Sequence, residues 1–105
     1  MKNDFDLVPV LFRAERSGKF KGDVTAVFPT LPADYEGREM TCYAHIGQHS
    51  ACSFDWYRKT RPATPKEFGD LAMELLDIGY RFRIYSRITP QLRELFRRET
   101  WRRQQ

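Results

Sequence analysis

The sequence predicts a small α+β domain: a three- to four-stranded, mainly antiparallel sheet with one packed helix and a C-terminal arginine-rich helix, in the order β-β-β-α-β-α. Three observations predict it. Short runs of β-branched and aromatic residues occur near 7–13 and 24–28, apolar residues recur at helical spacing over 65–78, and Thr-Pro pairs at 64–65 and 89–90 mark two helix starts. At 105 residues, two halves would each be too small for a core of its own, so a single domain over 1–105 follows, with 1–88 as its core and 89–105 as a basic helix. Eight Phe, five Tyr and two Trp supply large buried areas and argue against disorder.

Leu7 to Arg13 reads as a strand, and Pro9, which has no N–H for a ladder, suits an edge or an irregular start. Ser17-Gly18-Lys19-Phe20-Lys21-Gly22 then turns the chain into a second strand, in which Val24, Ala26 and Phe28 alternate with Thr25 and Val27, making a hairpin. Pro29 and Pro32 are expected to end it, and the acidic stretch that follows reads as a solvated loop. Met40 to Ala44 restarts a strand pattern, while the basic, proline-containing segment from Arg58 to Pro65 reads as loop.

Thr64-Pro65-Lys66-Glu67 is a capping box with proline at the first helical position. Phe68, Leu71, Ala72, Leu75 and Leu76 then form one apolar stripe, and Gly79 suits the left-handed residue that closes a helix. From Tyr80 to Ile88 the period becomes two, with Tyr80, Phe82 and Ile84 on one face and Arg81, Arg83 and Arg87 on the other. Thr89-Pro90 starts the last helix, whose narrow stripe of Leu92, Leu95 and Phe96 is surrounded by arginines.

No apolar run reaches the roughly 18 residues of a membrane span, and Asp4 and Asp6 stand where a secretory signal would be basic and apolar. A cytoplasmic protein that does not engage the membrane is expected, with its two cysteines reduced or holding a metal. The net charge of +4 is unevenly spread: residues 80–105 carry eight Arg against Glu94 and Glu99, whereas the earlier part is slightly acidic.

The one chemically unusual segment reads C-x2-H-x3-H-x2-C, from Cys42 through His45 and His49 to Cys52. All four side chains bind zinc when the thiols ionise and the imidazoles are neutral, so zinc is the implied cofactor. A continuous helix would put the two sulfurs about 15 Å apart. A regular hairpin would put the cysteine and histidine pairs on opposite faces. A single-ion site therefore needs tight turns within Cys42-x2-His45 and within His49-x2-Cys52, with Gly47 reversing the chain between them. Competing with it is a plain structural role, in which the cysteines are core residues or a cross-strand pair and the histidines are turn residues or hydrogen-bond partners. A third reading makes either cysteine a nucleophile, with His49 or His45 as base and Asp55 orienting it.

The cationic strand face and arginine-covered helix point to an acidic partner. Arg81, Arg83, Arg87, Arg93, Arg97, Arg98, Trp101 and Arg102 form the candidate binding set, with Tyr85 and Tyr57 as further stacking planes. A merely solvating helix is the plainer alternative. The segments DVTAVFPTLP, MTCYAHIGQHSACSFDWY, TRPATPKEF and LDIGYRFRI resemble a group of small accessory proteins of bacteriophages and mobile elements, over roughly residues 10–88. The resemblance implies context: short accessory phage proteins commonly act by binding, and some, anti-CRISPR proteins among them, inhibit host defence complexes through charged surfaces. The expectation is a zinc-stabilised binding protein that engages a host protein or protein–nucleic-acid complex in the host cytoplasm through its basic surface, nucleic acid itself being a further candidate partner. The alternative is a metal- or thiol-dependent enzyme acting on nucleic acid or protein.

Overall fold

Val8–Glu15 (β1) is the strand around which the rest assembles. The computed structural model describes residues 7–44 and 48–105. β1 turns through Gly18 and Gly22, both at positive φ, into Val24–Pro32 (β2), giving the predicted antiparallel hairpin with Leu11 opposite Val27. Pro29 does not end this strand, which runs on to Pro32: a register shift between Phe28 and Pro32 lets it continue beside Glu39–Ala44 (β3), the kind of irregularity at which proline is tolerated. Gln48–Ser53 (β4) extends the sheet beyond β3 as an edge strand.

The segment from Arg58 to Pro65, expected to be loop, instead takes in the end of a short helix, Phe54–Lys59 (α1), a three-residue strand, Thr60–Pro62 (β5), and the start of the next helix. Ser53 starts α1 by accepting the Trp56 amide at 3.0 Å. Arg13 fixes β5: its guanidinium donates to the Thr60 hydroxyl at 2.9 Å and the Thr60 carbonyl at 2.8 Å. Both anchors depend on contacts across 40 or more residues or on a single cap, which local pattern does not encode.

Pro65–Asp77 (α2) has the predicted capping box, with the Thr64 amide donating to Glu67 and the Glu67 amide to the Thr64 hydroxyl. Phe82–Tyr85 (β6) lies parallel to β1, Val8 opposite Phe82, on the same side of β1 that β5 occupies further along. Pro90–Arg103 (α3), capped by Thr89, completes the chain. The fold is thus α+β with a mostly antiparallel sheet and a C-terminal helix, and the sheet has six strands among the described residues because β4 and β5 join it. No helix is long and apolar enough to cross a membrane among those residues.

The sheet is buried on both faces. On one, Val10, Phe12, Ala26, Phe28 and Tyr43 meet Leu71 and Leu75 of α2, with Phe68 stacked on Phe12 at 4.4 Å between ring centroids. On the other, Leu11, Val27, Met40, Cys42 and Cys52 meet Phe96 of α3. The C-terminal helix, counted outside the 1–88 core on sequence, closes the second core, with Leu92 and Phe96 buried.

Candidate functional site

The β3–β4 ladder decides how the cysteines and histidines are arranged. Cys42 pairs with Ser50, Tyr43 with His49 and Met40 with Cys52. Side chains alternate along a strand, so Cys42 and Cys52 share one face as diagonal neighbours and His49 projects from the other. His49-x2-Cys52 is continuous strand, so the compact two-turn loop that a four-ligand cage requires is not formed. His45 lies outside the described residues. Among the described residues no three or more His, Cys, Asp or Glu side chains converge as metal ligands. With His49 as its base the Cys–His–Asp grouping is likewise not assembled among the described residues: the sheet separates both sulfurs from His49, and Asp55 pairs with Arg58 at 2.6 Å on the surface.

The cysteines are core residues, 4% and 7% exposed, as their plain structural reading expects. The Ser50 hydroxyl lies 3.1 Å from the Cys42 sulfur. The two thiols interact with each other, which lowers Cys42 below the usual thiol range and, with burial, raises Cys52.

On the opposite face His49 takes part in a cluster that sequence pattern did not single out. Its Nε2 lies 2.7 Å from the Tyr80 hydroxyl, and its ring meets Tyr43 edge-on at 4.9 Å. The Tyr43 hydroxyl donates to Glu74, which raises the phenol's pKa because the carboxylate favours the protonated form. Tyr80 stacks on Phe28 at 4.9 Å, and burial raises its own pKa. Tyr43, His49 and Tyr80, with Ile78 and Gly79, line an open hollow of about 480 Å³. Tyr43 and His49 are paired across β3 and β4, and Tyr80 comes from the connection between α2 and β6, so tertiary structure and not local spacing brings the three together.

The basic candidates fall into two groups. On α3, Trp101 is 65% exposed, and Arg97, Arg98 and Arg102 surround it at positions three or four residues before and one after. Their charge is partly balanced: Arg97 and Arg98 both pair with Glu94, and Arg102 pairs with Glu99 at 2.8 Å. Arg93, a turn earlier, lies over the Phe54 ring at 4.2 Å. Arg103 is tied inward, donating to the Pro32 carbonyl at 2.8 Å. Arg81 and Arg87 are exposed before and after β6, and Arg83 shares a groove wall with Leu95 and Glu99 of α3. Tyr57 is not a free stacking plane, since its ring carries the Arg13 guanidinium at 4.3 Å and its hydroxyl accepts from the Ile88 amide. Comparison of the chain with protein-family models, with curated proteins and with solved structures found no match.

Proposed function

We propose that the protein is a binding module that engages an acidic protein surface through the outward side of α3, in the manner of a small phage-type accessory protein acting on a host complex. One observation carries the reading: an exposed indole, Trp101, set among Arg97, Arg98 and Arg102 on a helix whose opposite side is locked into the core by Leu92 and Phe96. Trp and Arg are the residue types that most often dominate binding energy at protein interfaces, and a rigid helix presents them at little entropic cost.

Partial neutralisation by Glu94 and Glu99 favours a protein partner over a phosphate backbone. A nucleic-acid track gains from uncompensated charge at regular spacing, whereas alternating Arg and Glu beside an apolar ring sets register on a protein. Arg93 on its Phe54 ring and Arg83 at the neighbouring groove extend the same surface.

The test is affinity capture from a bacterial host lysate with the wild-type protein and with Trp101→Ala combined with Arg97→Glu. A defined protein should be retained by the first and lost with the second, and Trp101→Ala alone should weaken the purified pair by about thirtyfold. Equal retention by both proteins removes α3 from the interface. Capture that disappears on nuclease treatment replaces the protein partner with nucleic acid.

A further inference from the structure

The second core contains two sulfurs that the proposed interface does not use. The β3–β4 register places Cys42 diagonally across from Cys52 on one face, and burial there would ordinarily make two inert thiols. Here the pair also lines a bowl of about 420 Å³, with Ser50, Ser53, Glu15 and Trp56 among its other walls. Glu15 is held in that wall by the Trp56 indole, which donates to it at 2.7 Å. The Ser50 hydroxyl at 3.1 Å from the Cys42 sulfur gives that atom a donor able to steady a thiolate. Two adjacent thiols, an opening to solvent and a donor beside one of them are the parts that an oxidation-sensitive cysteine pair needs.

We propose that Cys42 and Cys52 form an oxidisable dithiol that reacts with small hydroperoxides entering the bowl. The Cys42 thiolate attacks the terminal peroxide oxygen: a sulfur–oxygen bond forms, the oxygen–oxygen bond breaks, and the departing oxygen takes a proton and leaves as water or alcohol. Cys42 is thereby oxidised to a sulfenic acid and the peroxide is reduced. Cys52 then attacks the Cys42 sulfur, the sulfur–oxygen bond breaks, and water leaves with the Cys52 proton. The sum converts two thiols and one peroxide into one disulfide and two hydroxyl products.

Diagonal partners on antiparallel strands stand about 7–8 Å apart at Cα, slightly beyond the usual disulfide span of roughly 4.4–6.8 Å. Bond formation must draw the strands together. β4 is an edge strand, paired on one side only among the described residues, so it can move toward β3 without breaking a second ladder.

The experiment treats the purified full chain with a small excess of hydrogen peroxide and follows intact mass and free thiols. The wild type should lose two hydrogens and both thiols, without forming a dimer, and recover them with dithiothreitol. Cys52→Ser should stop at a sulfenic acid on Cys42 that dimedone captures, while Cys42→Ser should give at least tenfold less adduct. Because either variant can lose core packing, the native wild type supplies a second readout: limited alkylation should label Cys42 at least tenfold faster than Cys52. Equal labelling, an intermolecular disulfide, or thiols blocked until a chelator is added would each overturn the proposal.

Discussion

Arg13 is 6% exposed and spends its guanidinium on four acceptors: the Thr60 hydroxyl and the carbonyls of Thr60, Ser86 and Tyr57. Burial lowers its pKa, yet it starts so high that the group stays charged near neutrality. Arg13→Met leaves those acceptors without their donor and should cost about 3 kcal/mol in urea unfolding. Arg13→Lys should recover little of this, because an ammonium cannot span the same fork of acceptors. Gly37 makes the reciprocal case. Its φ of +73° disfavours a side chain, and an added Cβ would lie 2.7 Å from the Thr100 side chain. Gly37→Ala should destabilise by about 1–2 kcal/mol, and Thr100→Ala in the same chain should return part of it. Residue types alone did not announce either position. The arginines around Trp101 were legible in the sequence because a helix keeps its spacing, whereas the Tyr43–His49–Tyr80 grouping was not, because strand register pairs the first two and the connection between α2 and β6 supplies the third.

Elements with their own boundary chemistry were legible; those stabilised from elsewhere were not. Capping residues and proline announce α2 and α3, and glycine-rich turn residues announce the first hairpin. β4 carries exposed His49, Ser50 and Ala51 and has no apolar alternation to reveal it, and β5 is three residues held by Arg13. The cap of α2 also yields a pH effect. Glu67 accepts two hydrogen bonds from Arg61 and one from the Thr64 amide, and Arg61 first, then Thr64, holds its carboxyl at about 2, below the ordinary 4.5. A carboxyl depressed in the folded state contributes stability above its unfolded pKa and loses that contribution as pH falls toward the folded value. The melting temperature should therefore fall between pH 4.5 and about pH 2, and Arg61→Met should flatten this part of the profile. Thr64→Ala, which removes the other half of the box, should cost about 1 kcal/mol at neutral pH.

At the scale of the whole molecule the decisive feature is a sheet covered on both sides by helices of opposite character. α2 brings an apolar stripe together with the carboxylates Glu67 and Glu74, while α3 brings Leu92 and Phe96 inward and its arginines and Trp101 outward. The apolar stripe on α3 is narrow, but two large side chains suffice when the facing strand surface already presents Leu11, Val27 and Met40. Removing residues 89–105 should uncover that surface. Losing two buried side chains costs about 4–6 kcal/mol, comparable to the whole stability of a small domain. Such a truncated chain should bind a hydrophobic dye and lose its cooperative thermal transition. The parallel pairing of β1 with β6 has a consequence in time. On a ribosome adding roughly 5–20 residues per second, β1 meets β2 early but waits several seconds for Phe82–Tyr85 to emerge, with one edge open to other nascent chains. Pro9, on the stretch β6 will cover, has no amide hydrogen to offer a stray strand, so the same residue that looked awkward in a strand guards it until its partner is made.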